Sequence, residues 1–206
     1  MGTQEGGRVL IRVTKFQRGV TLIELLIALA VMAIAFSLGM PSYSAWIQNS
    51  QIRTAAESMQ SGIQLARAEG LRSNATVRFQ LTTTTDATCA LSSSGTNWVI
   101  SANDATGKCN VTDSTVDPFM TRVKASAEGT KNVTVAATQS SISFNGLGRV
   151  TPAPTSTITI DIKNPSGGTC VAASGNMRCL QLQVSGAGQV RMCDPAVTAT
   201  SDPRKC

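Results

Sequence analysis

Six cysteines and a set of scattered carboxylates are the residues of this sequence that could do chemistry, and no histidine accompanies them. Without histidine the chain lacks the commonest general base and metal ligand, so catalysis would have to rest on carboxylates, lysines or cysteines. The acids of the C-terminal part show neither metal-ligand spacing nor a catalytic pairing. They are Asp86, Asp104, Asp113, Asp117 and Asp161. No phosphate-binding loop, dinucleotide fingerprint or G-x-S-x-G elbow occurs, so the sequence predicts a protein that is not an enzyme and uses no cofactor or metal.

The cysteines all lie in the later part of the chain. They are Cys89, Cys109, Cys170, Cys179, Cys193 and Cys206. Their even number favours three disulfides in an oxidising compartment, and the lack of C-x-x-C pairs and of histidine argues against zinc. Many pairings are open, and we expect sequence neighbours to be joined: 89 with 109, 170 with 179, and 193 with 206. Each bond would close a short loop and stabilise the fold by about 2–3 kcal/mol.

Glu24 is the one strongly polar residue in an apolar run that extends from Val20 to Met40. As a helix, the run is long enough to span a hydrocarbon core of about 30 Å. Basic residues precede it, so the positive-inside rule places residues 1–18 in the cytoplasm and sends the rest of the chain outward. A carboxylate at the bilayer centre costs roughly 2.5–3.5 kcal/mol, which a plain anchor leaves unexplained. The run is also too long for an ordinary signal peptide, and it leads into more helix.

Hydrophobic periodicity indicates the elements that must hold these residues in place. An apolar stripe of helical spacing continues through residues 42–72. Its members are Ala45, Ile52, Ala56, Met59, Ile63, Ala66 and Gly70. We expect one helix from about Val20 to Leu71, with a stop at Asn74. Pro41 should loosen or bend this helix, because proline removes a backbone donor and clashes with the preceding turn.

After residue 75 the apolar residues recur with the period of two that is typical of β-strands. Polar and glycine-rich segments separate these runs, which favours antiparallel strands joined by turns. The predicted strands are TVRFQL, NWVIS, NVTVAA, SISF, TITIDIK, CLQLQV and GQVRMC. Residues 182–192 are predicted to form a hairpin, and residues 82–97 and 101–118 to form surface loops stapled by Cys89 and Cys109. The fold class is therefore predicted to be α+β.

The segment Arg18-Gly19-Val20-Thr21-Leu22-Ile23-Glu24 resembles the class III signal of type IV prepilins and of the related type II secretion pseudopilins. The resemblance implies that a prepilin peptidase cuts after Gly19 and methylates the new amine of Val20. Most members begin with phenylalanine, so Val20 departs from the pattern. Pro41 falls where many members have a helix-kinking proline. In the filament core, Glu24 would pair with the N-terminal amine of a neighbouring subunit, which would offset the burial of its charge and set the register.

The resemblance also implies the type IV pilin fold, a long N-terminal helix packed on an antiparallel β-sheet head with disulfides. The expected parts are a leader at 1–19, a membrane-spanning and filament-core helix at 20–41, an amphipathic helix at 42–74 and a β-rich periplasmic head at 75–206. The stretch FNGLGRV at 144–150 and the tail GQVRMCDP resemble the GspH/FimT branch of minor pilins, and more narrowly its FimT/FimU-type members.

The C-terminal tail raises the question of DNA contact, which a Gly-Arg-x-Arg motif makes in FimT-like pilins. Here the corresponding residues are Gly188, Gln189, Val190 and Arg191, so the first arginine is missing. The candidate contacts are Arg178, Arg191, Arg204 and Lys205. Two interpretations stay open: ordinary solvated or ion-paired groups, or a weak, phosphate-directed DNA contact. The tail contains no aromatic residue, which argues against stacking on single strands.

The expected function is that of a minor pilin at the tip or priming complex of a type IV pilus, supporting pilus assembly. The implied partners are other major and minor pilins, the prepilin peptidase, the inner membrane and, weakly, DNA. The expected location is the bacterial inner membrane, crossed once with the head in the periplasm, and later the cell-surface pilus. The alternatives are a competence pilin that binds DNA and a type II secretion pseudopilin of the H class.

Overall fold

The computed structural model of the chain describes residues 19–126 and 130–206, and for residues 38–42 it describes the backbone alone. The basic leader residues 1–18 thus lie outside the described part. The chain divides into two compact units, Met1–Met40 and Pro41–Cys206. One helix, α1, is assigned from Leu22 to Ser73. The bend expected at Pro41 stays a prediction.

In the first unit, α1 begins at a threonine cap. The backbone N–H of Glu24 donates to Oγ1 of Thr21 over 3.3 Å, and the N–H of Leu25 donates to the carbonyl of Thr21 over 3.2 Å. Thr21 and Glu24 have the spacing of a capping box, in which a hydroxyl satisfies a free N–H of the first turn. The large apolar side chains between Val20 and Phe36 are at least half exposed in this chain alone. No helix within residues 19–126 and 130–206 is both long and apolar enough to cross a membrane.

In the second unit, the rest of α1 buries the predicted apolar stripe. Ile52, Ala56, Met59, Ile63 and Ala66 are buried, and Ala45 is half-buried. The helix ends at Ser73, and Asn74 adopts a left-handed conformation with φ of 49°. Asparagine tolerates that conformation better than most residues, which makes it a good terminator. The predicted stop is therefore where the helix ends.

The head contains two four-stranded antiparallel sheets. One sheet has the order β3-β2-β1-β5 and the other β4-β6-β7-β8. The strands are β1 Val77–Thr82, β2 Asn97–Ser101, β3 Met120–Lys124, β4 Thr134–Ala137, β5 Ser141–Phe144, β6 Ile158–Lys163, β7 Leu180–Val184 and β8 Val190–Cys193. The predicted antiparallel head is thus confirmed, and the predicted hairpin is β7–β8. Strand β3 was not expected, because it lies at a sheet edge and carries the exposed or half-buried Arg122 and Lys124.

One hydrophobic core joins α1 to both sheets. Its largest fully buried side chains include Phe79, Phe144, Ile63, Ile160 and Leu182. The rings of Phe79 and Trp98 lie 5.5 Å apart at their centroids. They face Gly62 of α1, where an added Cβ would lie 2.9 Å from Phe79 and 3.0 Å from Trp98. Glycine at this position lets the helix backbone approach the two rings closely.

The FNGLGRV stretch forms a turn that packs against the β7–β8 turn. Gly148, with φ of 70°, and Gly188, with φ of 80°, lie so close that a Cβ on Gly188 would run into the carbonyl of Gly148. That carbonyl also accepts a 3.0 Å hydrogen bond from Nε of Arg67 on α1. The two glycines therefore allow the 144–150 turn and the β7–β8 turn to pack closely together near the end of α1.

Candidate functional site

The predicted cleavage site lies in an exposed, non-helical segment. Gly19 and Val20 precede α1, and both are exposed, Val20 to 72%. A Cβ on Gly19 would meet nothing within 4 Å. The described residues thus leave room for a peptidase at the Gly19–Val20 bond, and none of them crowds Gly19.

Glu24 sits in the first turn of α1, where the helix dipole favours a carboxylate. Its side chain is exposed, and none of the ion pairs of the described residues includes it. The surrounding side chains are apolar and exposed as well. The Glu24 carboxylate is therefore accessible on an apolar helix surface, where it could pair with a cation of another molecule.

The second candidate site is a cleft of about 440 Å³ in the Pro41–Cys206 unit, here called the C-terminal cleft. Helix α1 forms one wall, and strands β7 and β8 with the tail form the other. The α1 residues are Trp46, Asn49, Ser50 and Arg53, and the others are Arg178, Leu180, Met192, Cys193, Asp194 and Arg204. The backbone N–H of Arg178 donates to Oδ1 of Asn49 over 2.8 Å, which ties the two walls together.

An ion pair at the floor of the cleft joins Arg178 to Asp194 over 3.0 Å. The side chain of Asp194 is only 6% exposed, whereas that of Arg178 is 59% exposed. Asp194 also accepts a 2.9 Å hydrogen bond from the N–H of Ala196, so the buried carboxylate is satisfied from two sides. The guanidinium therefore balances a buried charge on one side and faces solvent on the other.

A second pair, Arg204 with Asp202, lies in the tail. Two hydrogen bonds join them, at 3.1 Å and 2.7 Å. Hydrogen bonds from the Arg204 side chain and backbone lower the pKa of Asp202 to about 2. The unfolded carboxyl would titrate near 3.8, so the stability that this pair adds is fully present above that pH and is lost as the pH falls towards 2.

Disulfides hold the tail in place. The bonds join Cys89 to Cys109, Cys170 to Cys179 and Cys193 to Cys206, the same pairs that the sequence analysis predicts. The last of these anchors the chain end beside β8, where the N–H of Asp194 donates to the carbonyl of Arg204 over 2.7 Å. The first is buried in a small cluster of its own with Val99, Ala105 and Met120.

The structure brings two of the four candidate DNA contacts together. Arg178 and Arg204 both line the C-terminal cleft, whereas Arg191 and Lys205 are not among its lining residues. Arg191 instead donates to Oε1 of Gln183 on the neighbouring strand over 2.8 Å. Trp46 could not be predicted as part of this site, because it lies on α1 far from the tail in sequence and no local pattern connects the two. The tail has no aromatic residue of its own, but α1 contributes the aromatic side chain of Trp46 to the cleft.

Comparisons with known proteins place the two parts of the chain. Residues 55–188 match the family described as type II transport protein GspH, and residues 14–40 match the prokaryotic N-terminal methylation motif. No curated protein sequence matches the chain. Among solved structures, it is similar to the type IV minor pilin FimU of Pseudomonas aeruginosa strain PAO1 in two crystal forms. The sequence identities are 14% and 15%, the shares covered are 72% and 76% of this chain and 98% of that one, and the TM-scores are 0.46 and 0.49.

The GspH match spans more than half of the chain and covers α1 from residue 55 onward and strands β1 to β7, whereas β8 lies beyond its end. The methylation motif covers Gly19, Val20 and Glu24. The relationship inferred from Arg18–Glu24 and from the FNGLGRV stretch is thus confirmed at the family level. The chain belongs to the GspH family, as a GspH/FimT-type pilin that carries the N-terminal methylation motif ahead of its family domain.

Proposed function

We propose that this chain is a minor pilin of a type IV pilus, built into the tip or priming complex, where it supports pilus assembly. The exposed apolar surface of α1 between Val20 and Phe36 carries the proposal. Contiguous apolar patches of that kind are rare on soluble proteins and mark surfaces that a membrane or a partner covers. Glu24 is the acid within this surface, so a partner that covers the surface must supply a positive charge to balance it.

The precursor is anchored in the inner membrane by residues 20–41, with the leader 1–19 in the cytoplasm. The amphipathic helix 42–74 and the head 75–206 lie in the periplasm. A prepilin peptidase cuts the Gly19–Val20 bond and methylates the amine of Val20, and the chain then leaves the bilayer for the pilus. Its function is structural rather than enzymatic, and its disulfides suit the oxidising periplasm.

In the filament, the carboxylate of Glu24 pairs with the N-terminal amine of an adjacent major or minor pilin. Both charges are then withdrawn from water, so each needs the other, and only one axial register brings them together. The apolar side chains around Glu24 pack against the helices of neighbouring subunits. Pro41 loosens α1 where it leaves the filament core for the head.

Two further functions are kept as alternatives. A type II secretion pseudopilin of the H class would share the same anchor and family domain. A competence pilin would use Arg178 and Arg204, whose guanidinium groups share one cleft, to contact DNA phosphates. The neighbouring genes distinguish a minor pilin from a pseudopilin. Genes for pilus subunits and a tip adhesin would surround a minor pilin, whereas genes for secretion components would surround a pseudopilin.

The experiment that tests the proposal is recovery of the chain from sheared pili. We expect an antibody against the head to detect it in the purified filament fraction, at far lower abundance than the major subunit. Loss of the pilus motor or of the prepilin peptidase should remove it from that fraction and leave it in the membrane. A chain that stays in the membrane of fully piliated cells would contradict the proposal.

A further inference from the structure

An exposed aromatic pair lies at the start of the head unit. Tyr43 is 64% exposed and Trp46 is 66% exposed, and their rings stack with centroids 6.1 Å apart. Trp46 also forms part of the wall of the C-terminal cleft. Tyrosine and tryptophan favour the headgroup level of bilayers, since their rings are apolar and their polar atoms reach water. Neither ring belongs to the buried hydrophobic clusters of the described residues.

Each of the three arginines that line the cleft is more exposed than the acid with which it pairs. The exposed fractions of the arginine side chains are 75% for Arg53, 59% for Arg178 and 61% for Arg204. Their acidic partners are less exposed in every case, namely Glu57 at 55%, Asp194 at 6% and Asp202 at 23%. A guanidinium has five N–H donors, and these pairs use one or two of them on each arginine. The remaining donors suit phosphate oxygens.

The distance along the chain links this cleft to the apolar run. Trp46 is the sixth residue after Met40, so the covalent chain alone keeps the two within about 20 Å. The headgroup layer begins where the apolar run ends if that run spans the bilayer. Along α1, the apolar run is followed first by the exposed rings of Tyr43 and Trp46 and then by Arg53. Aromatic rings favour the membrane interface and arginines favour lipid phosphates, so this order suits a segment that leaves a bilayer.

We propose that the C-terminal cleft binds the phosphate of an anionic phospholipid at the outer face of the inner membrane. The inference rests on the proposed membrane-anchored precursor. Tyr43 and Trp46 lie at the interface, while Arg53, Arg178 and Arg204 hold the phosphodiester. The head is thereby docked on the bilayer before assembly, and extraction into the pilus breaks these contacts. A lipid is favoured over DNA because Trp46 lines the cleft and lies only six residues along the chain from the end of the apolar run.

The test uses the full-length chain in nanodiscs of phosphatidylcholine, with and without phosphatidylglycerol. Acrylamide quenching of tryptophan fluorescence reports on Trp46, since Trp98 is only 5% exposed. We expect acrylamide to quench Trp46 less in discs that contain phosphatidylglycerol than in discs of phosphatidylcholine alone. In the Arg53→Gln/Arg204→Gln double variant the docking equilibrium should weaken by about fivefold for each arginine removed. The matched control is Arg72→Gln, because Arg72 is equally exposed on α1 and is likewise paired with a nearby glutamate, Glu69.

The outcomes separate the two proposals. A chain that fails to enter nanodiscs at all contradicts the membrane-anchored precursor. A chain that enters but shows no protection by phosphatidylglycerol, or equal protection in the double variant and the wild type, overturns the cleft proposal and leaves the anchor standing. Protection of Trp46 by inorganic phosphate in phosphatidylcholine discs would show a free-anion site instead. Binding of duplex DNA that depends on Arg53 and Arg204, without any lipid effect, would assign the cleft to nucleic acid and overturn the lipid proposal.

Discussion

Replacing Glu24 with alanine should reduce the amount of this chain in purified pili by at least about 100-fold, while its level in the membrane stays unchanged. The reason is that the variant leaves the amine of the adjacent subunit buried without a counter-charge, and such an uncompensated charge costs about 3–5 kcal/mol. Glu24 has no ion-pair partner among the described residues of its own chain, so folding of the head loses nothing. Quantitative immunoblotting of sheared filaments against membranes measures the effect.

A second substitution at the same position separates charge from helix capping. Glu24 follows Thr21 at capping-box spacing, and glutamine keeps that capping ability without the charge. If pairing with an amine is the function, Glu24→Gln should fail nearly as badly as Glu24→Ala. Normal incorporation of the glutamine variant would mean that the residue only starts the helix. Glu69→Gln, which removes an acid from a surface pair on the same helix, is the control and should assemble normally.

Replacing Phe79 with alanine should lower the free energy of unfolding of the head by about 3–5 kcal/mol. Phe79 is fully buried, and its ring fills the space between Trp98 and the backbone of Gly62. Because α1 approaches the sheet closely at Gly62, the helix cannot move in much further to fill the cavity. Thermal unfolding followed by circular dichroism should show a midpoint lower by roughly 10 °C, given 2–4 °C per kcal/mol for a domain of this size.

The control for this prediction makes the same substitution at an exposed site. Phe119 is 43% exposed, so Phe119→Ala removes less buried surface and should cost less than half as much. Equal losses at Phe79 and Phe119 would show that the contact between α1 and the sheet is not the centre of the core.

Much of the fold is predictable from local pattern. The stripe from Ile52 to Ala66 gives the buried face of α1, since a helix repeats every 3.6 residues. The alternation in TITIDIK and CLQLQV gives β6 and β7 for the same kind of reason. Strand β3 escapes this method, because it is a polar edge strand with little apolar alternation.

Local hydrophobic periodicity could not predict the division into two sheets or the C-terminal cleft. Strand β1 pairs with β5 across a long stretch of sequence, and such pairing depends on the packing of the whole head. Likewise, Trp46 meets Arg178 and Arg204 only because α1 lies beside the β7–β8 hairpin. The N-terminal motif differs, since the proposed cleavage site, the proposed methylated residue and Glu24 lie within a few residues of one another, so a contiguous sequence can carry all three.

In the proposed function, this chain is a processed pilin whose new amino terminus begins the filament helix. Mass spectrometry of the chain recovered from purified pili tests it most directly. The predicted result is a mature protein that starts at Val20 with a methylated amine and contains three intact disulfides. A filament-associated chain that still begins at Met1, or that starts at any residue other than Val20, would contradict the account.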